Sequence, residues 1–265
     1  MIVDLRESIL AVGYDADLID QFDSEFKAMA KRNLAAVNVV TPSVMDKQLL
    51  QQMGYLETFS GHVTKIEALE TASSPEHEAC LIPAACLPLY PVKEQVAPNS
   101  NTCLTSKVKV FRYEQGNRQR GIRAWEFNVR EIVFIGTPSY VNQGLDEVEQ
   151  YIRQFTKENN MPIKIDYSSD YFTGESDEVK MMKRIQRANQ VKREVLWNEG
   201  ELTVALASLN KHLDHFSKMF GWDEQGKCVS GCVGFGLERW LYAWKSLFSD
   251  KQIFPRQYAE TGTRT

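Results

Sequence analysis

The sequence predicts an α+β protein built around an antiparallel sheet. Two observations carry that expectation. Alternating apolar runs fill the second half of the chain and include a hairpin, "SKVKVFRYE" followed by "AWEFNVREIVFIG" across the loop "QGNRQRGIR". Between such runs lie a few segments whose apolar residues recur at helical spacing. The composition agrees: 265 residues, 43% hydrophobic and 25% charged, are those of an ordinary globular chain.

The elements are expected in this order. Residues 15–36 read as an amphipathic helix, and "VNVV" as a strand ended by Pro42. "SVMDKQLLQQMGY" reads as a short helix closed at Gly54, and "HVTKIEAL" as a strand. "CLIPAACLPLYPV" carries Pro83, Pro88 and Pro91, which suits an irregular buried edge. A polar loop, "EQVAPNSNT", leads into the hairpin 107–136. "GLDEVEQYIRQFTKENN" reads as a helix, then "IKIDYSSDYF", "VKREVLWN" and "ELTVALASLNKH" as strands. In "GCVGFGLERWLYAW", Val233, Phe235 and Leu237 alternate with Gly234 and Gly236, so a strand passes into a helix over 237–248. One domain is expected over 1–256, with 257–265 a disordered tail.

Charge and cysteine usage narrow the function classes. A formal net charge of −4 argues against a general nucleic-acid binder. No apolar run approaches membrane-spanning length, and "MIVDLRESIL" lacks the basic start and apolar core of a signal peptide. Five cysteines without a secretion signal point to reduced thiols and a cytoplasmic protein. No C-x-x-C occurs, which disfavours a zinc ribbon but leaves open ligands gathered from distant positions.

Two segments carry candidate chemistry. Arg112 and Glu114 are two apart and share one strand face; Arg118, Arg120 and Arg123 lie in the loop; Phe127 and Glu131 lie on the return strand. Guanidinium groups suit a polyphosphate and a ring suits a purine. The plain alternative is a surface hairpin of mixed charge. Further on, the bare face at Gly234 and Gly236 admits a flat ligand, and Arg239 stands beside it.

Together, "FRYE", "FNVRE" and "GFGLER" resemble the second and third signature motifs of class II aminoacyl-tRNA synthetases. The helix 15–36, "VNVV" and Pro42 resemble the first, which in that family builds a homodimer interface. "LIPAACLPLYP", "FNVREIVFIGTP", "DYFTG", "ALASLNKHLDHF" and "SGCVGFGLERW" narrow the resemblance. They are similar to the amino acid:[carrier protein] ligases, small relatives of methanogen-type seryl-tRNA synthetases. The match runs from about residue 15 to 250. The fold implied is a class II synthetase catalytic core, an antiparallel sheet flanked by helices.

The resemblance also implies roles. Arg112 holds the ATP α-phosphate and the substrate carboxylate, Glu114 reads the adenine amino group, and Phe127 stacks on adenine. Arg123 reaches the far phosphates and Arg239 contacts the phosphates. Ser208 and Asn210 line the floor of the site, Ser208 toward ATP and Asn210 toward the amino acid. Cys86, Glu131 and Cys232 hold zinc. Two thiolates and a carboxylate leave one position open for an α-amino group, as in a functional zinc site. The plain alternative for Cys86 and Cys232 is a pair of buried thiols. Cys228 competes with Cys232, and Cys80 and Cys103 are bystanders. His212 and His215 read as helix-face or pocket-wall residues, with metal ligation as the alternative. Lys192 and Glu194 face the same cleft, and the magnesium ligand is Glu194 or Glu201. Two departures from the family stand out: the loop 115–123 has no proline, and Lys211 replaces an expected aromatic residue.

The implied reaction is ATP-dependent activation of glycine, alanine or serine, followed by transfer to the phosphopantetheine thiol of a carrier protein. No tRNA-binding appendage is expected, and the pI near 5.7 disfavours tRNA as acceptor. Two alternatives remain: a non-catalytic paralogue that binds amino acid or nucleotide, and an adenylating enzyme for an unusual amino acid.

Overall fold

The protein is described from a computed structural model covering residues 1–4, 8–67, 78–96, 101–113, 122–168, 190–222 and 227–248. Glu114, Arg118, Arg120, the motif "DYFTG" and the segment 257–265 lie outside the described residues.

A short hairpin of β1 (Ile2–Asp4) and β2 (Ile9–Ala11), not expected from the sequence, precedes α1 (Tyr14–Leu34). The helix buries Leu18, Phe22, Phe26 and Met29 along one side, the i, i+3/i+4 spacing that identified it. It ends where Ala35 takes a left-handed conformation. The strand expected at "VNVV" is only β3 (Val37–Asn38).

The next region differs from expectation. "SVM" opens a strand, β4 (Val44–Asp46), and not a helix, because it pairs with β5 (Ala79–Leu81). The helix starts later, at α2 (Lys47–Gln52), where the Asp46 carboxylate accepts a hydrogen bond from the Gln48 N–H at 2.6 Å. Among the described residues "HVTKIEAL" forms no strand, only a bridge from Lys65 to Cys80. A short α3 (Tyr55–Phe59) and α4 (Lys93–Val96) flank this region.

The main sheet comprises β3, β6 (Thr102–Phe111), β7 (Glu126–Gly136), β8 (Ile163–Tyr167), β9 (Lys192–Glu199), β10 (Leu202–Leu213) and β11 (Val229–Gly236). Its order is β3-β6-β7-β11-β10-β9-β8, with β3 parallel to β6 and the other pairs antiparallel. Helix α5 (Pro138–Glu158) begins six residues before the expected start at 144. The cause is local: Thr137 caps it by accepting from the Tyr140 N–H, and Pro138 occupies its first turn. A short α6 (His215–Phe220) and the final α7 (Leu237–Phe248) complete the set.

Strand alternation gives the sheet two unlike faces. On one, Ile132, Phe134, Val233 and Phe235 meet α1, α5 and α7 in an apolar core. Phe26 stacks on Phe235 with ring centroids 4.2 Å apart, and Trp240 closes over both. Truncating Phe26 would cost about 3–5 kcal/mol. Gly144 lets α5 approach closely, since a β-carbon there would lie 2.3 Å from the Phe134 ring. Arg130 donates to both oxygens of Asp23, at 2.8 and 2.9 Å, pinning α1 to β7. The opposite face carries Val129, Val133 and Ile135, but also Glu131 and Cys232. The cleft opens on that second face.

Candidate active site

Three strands lay polar groups across the second face in register. Ser208 on β10 lies opposite Gly234 on β11, and Gly234 opposite Glu131 on β7. One row along, Asn210 lies opposite Cys232, and Cys232 opposite Val133. The absent side chain at Gly234 is what Glu131 uses: a β-carbon there would stand 2.9 Å from Glu131 Oε2. The cleft has a volume of about 1100 Å³. It is lined by Cys86, Arg112, Arg123, Phe127, Glu131, Ser208, Asn210, Cys232 and Arg239. The described residues expected to bind ATP, amino acid and zinc therefore reach one cavity.

At one end lie the cysteines. Cys86 precedes a 3-10 turn, Leu87–Leu89, whose two leucines are buried. Prolines around that turn keep the segment out of the sheet and over the cleft, as an irregular edge should. Cys86 Sγ and Cys232 Sγ are 4.0 Å apart, and both side chains are buried. Asn210 Nδ2 donates to Ser208 Oγ at 3.2 Å and to Cys232 Sγ at 3.6 Å. Burial pushes the Glu131 carboxyl up to about 7, against the pull of its hydrogen bond with Cys232 and of the Arg112 charge. The hydrogen bond with Cys86, together with burial, holds the Cys232 thiol well above the ordinary thiol range. Acids crowded this way resist ionising together, and a divalent cation removes the penalty.

The donor set fits zinc. Two ligands at about 2.3 Å from a tetrahedral zinc sit about 3.8 Å from each other, close to the separation of the two sulfurs. Thiolates with a carboxylate or imidazole suit zinc better than magnesium or calcium. The donors within 4.8 Å of one another are Cys86, Cys232 and His212. Glu131 stands beside that group, hydrogen-bonded to Cys232. His212, expected on a helix face or pocket wall with metal ligation as the alternative, lies on β10 and lines the cleft, so the wall reading holds and the helix does not. Cys228 is half-buried and does not line the cleft.

At the other end lie the arginines. Arg112 Nε donates to the Pro83 carbonyl at 2.8 Å, and its guanidinium carbon lies 5.5 Å from the Phe127 ring centroid. Arg239, in the first turn of α7, donates to the carbonyls of Ile122 and Ala205 at 3.1 and 3.0 Å. Glu238 accepts from the Asn128 backbone N–H and side-chain amide, locking the start of α7 to the strand that carries Phe127. Of the magnesium candidates, Glu194 lines the cleft and pairs with Lys192 at 3.3 Å. Glu201 is exposed at the β9–β10 turn and does not line it. Lys211 and His215 line the rim.

The fold is that of a class II aminoacyl-tRNA synthetase catalytic core. The crystal structure of M. kandleri SerRS with A. aeolicus tRNASec superimposes on 92% of this chain and 55% of its own, with a TM-score of 0.74 and 16% identity. No protein-family model matches the chain. Its sequence is 28% identical to amino acid--[acyl-carrier-protein] ligase 1 of Bradyrhizobium diazoefficiens over 221 residues, 75% of this chain and 67% of that protein. It is 29% identical to the type-2 serine--tRNA ligase of Methanococcus maripaludis over 173 residues, 61% of this chain and 33% of that one. The chain is a class II synthetase-like ligase, homologous to the amino acid--[acyl-carrier-protein] ligases. Among the described residues no helix is long and apolar enough to cross a membrane.

Proposed function

We propose that the chain activates a small amino acid, glycine, alanine or serine, as its adenylate, and passes the acyl group to the phosphopantetheine thiol of a carrier protein. One observation carries the reading: a single cleft has a buried cysteine–carboxylate cage at one end and arginines with an aromatic ring at the other. Phe127 and Glu131 share a face of β7 four residues apart, a separation of about 13 Å. An aminoacyl adenylate spans such a distance, its base at Phe127 and its amino group at the cage.

In this reading Cys86, Cys232 and Glu131 hold zinc, which supplies a Lewis-acidic position for the α-amino group. The amino acid is thereby told apart from a plain carboxylic acid. Arg112, between cage and ring, orients the carboxylate against the α-phosphate. A carboxylate oxygen attacks the α-phosphorus, the bond to the bridging oxygen breaks, and pyrophosphate leaves. Arg239 and Arg123 stabilise the charge gathering on the phosphates, with a magnesium ion held near Glu194. Phe127 covers the adenine. Ser208 and Asn210 form the floor, and Asn210 keeps its amide on the Cys232 sulfur. A carrier thiol then attacks the activated carbonyl and AMP departs. A net charge of −4 disfavours the phosphate contacts on which tRNA affinity rests. Exposed Val37 and Val40 beside the edge strand β3 support a homodimer formed through the first-motif region.

The test incubates enzyme, ATP and labelled amino acids with holo-carrier, apo-carrier and bulk tRNA in parallel. Label is expected on holo-carrier alone. Comparable labelling of tRNA, or equal labelling of apo- and holo-carrier, refutes the acceptor; failure of every amino acid to support pyrophosphate exchange refutes the activation.

A further inference from the structure

We infer that His212 is a ligand of the metal in the amino-acid-free enzyme, filling the position that the substrate amino group later takes. The inference rests on the zinc reading above and deepens it.

Three independent features place the imidazole there. The first is distance. His212 Nε2 lies 3.6 Å from Cys232 Sγ. For a tetrahedral zinc with nitrogen at about 2.05 Å and sulfur at about 2.3 Å, the nitrogen–sulfur edge is about 3.6 Å. The donors of Cys86, Cys232 and His212 all fall within 4.8 Å of one another. The second is orientation. The other ring nitrogen, Nδ1, lies 3.2 Å from the Tyr90 hydroxyl and 3.1 Å from Ser230 Oγ. Tyr90 and Ser230 are both buried. A proton on Nδ1 shared with those oxygens leaves Nε2 as the bare nitrogen, facing the sulfurs. Metal-bound histidines are held by such a bond from the far nitrogen. The third is the strand itself. The β10–β11 register slips between Lys211 and Leu213, so His212 is the extra residue of a bulge. Bulges re-aim side chains beside active sites. Leu213, with φ 54, completes the bend at a conformation costly for a leucine. Together these turn His212 onto Cys232.

With thiolates and Glu131 holding the ion, imidazole is the weakest-tethered donor, half-buried on a bulge. It closes the site against water until an amino group displaces it. The exchange swaps one neutral nitrogen for another and leaves the charge of the site unchanged.

X-ray absorption at the zinc edge tests this on the full-length protein, since imidazole adds outer-shell scattering that amines, thiolates and carboxylates lack. That scattering is expected in the amino-acid-free enzyme and is expected to fall on saturation with glycine. His212→Ala should lose the scattering and weaken zinc binding about 10- to 100-fold in competition with a chromophoric chelator. His212→Gln serves as a second variant should the alanine fold poorly, and the wild-type spectrum stands without either. Bound zinc with no imidazole scattering in the wild type overturns the inference and leaves the zinc reading intact. Full scattering retained with glycine bound overturns the displacement. Wild-type protein that neither contains nor takes up zinc overturns the zinc reading itself.

Discussion

The two ends of the cleft are built on different plans. At the cysteine end the donors sit on neighbouring strands and a short turn: Cys232 is 3% exposed, Glu131 5% and Cys86 6%. At the arginine end the groups are long, partly exposed side chains, and Arg112 and Arg239 rest on backbone carbonyls. The first end is fixed before any ligand arrives; the second holds its cations in hydrogen bonds that a polyphosphate can replace. Under the proposed function, recognition falls to the rigid end and charge stabilisation to the adaptable one. It also makes the two ends separable by mutation.

Cys232→Ser should produce the largest effect. Losing one of two thiolates should empty the metal site and lower amino-acid-dependent pyrophosphate exchange by on the order of a thousandfold. Cys228→Ser should leave metal content unchanged. Full zinc occupancy in the Cys232 variant would remove the cysteine end from the account. Arg239→Ala should slow exchange on the order of a hundredfold while zinc content stays at the wild-type level. A loss of metal in that variant would show the ends to be coupled. Gly234→Ala sharpens the contrast, since its new β-carbon would press on Glu131 Oε2 at 2.9 Å. Zinc affinity should fall roughly tenfold, with ATP binding unaltered by calorimetry. Phe127→Ala should be mildest, raising the KM for ATP by about tenfold at an unchanged KM for the amino acid, as expected for a lost stacking ring.

The strands that carry the site were legible because alternation survives in them. "FNVREIVFIG" puts Phe127 and Glu131 on one face and Arg130 and Phe134 on the other, and the structure keeps that division. Glycine spacing in "GCVGFG" identified the bare strand, although the partner that uses Gly234 is a protein carboxylate. His212 reads as a wall residue with metal ligation as the alternative, but its aim at Cys232 was not legible, for a physical reason. Its position depends on a bulge set by pairing with β11, 18 or more residues away, and no local pattern records that pairing. The "SVM" segment misled because Lys47–Gln52 is a genuine helix and its start is governed by the distant partner β5. The early start of α5 was available in "GTP", a capping threonine followed by proline, but apolar spacing alone pointed later. Glu114 lies outside the described residues, so its role stays with the motif alone.

The central claim is that the rigid end selects an amino group which the adaptable end then activates. Pyrophosphate exchange with alanine and with propionate, which lacks only the α-amino group, measures it directly, with magnesium in excess throughout, before and after a zinc-selective chelator strips the site and after zinc is restored. The account predicts exchange with alanine, none with propionate, loss of the alanine rate on chelation and its return with zinc. Propionate turning over as well as alanine, or alanine exchange surviving complete zinc removal with magnesium present, would contradict it.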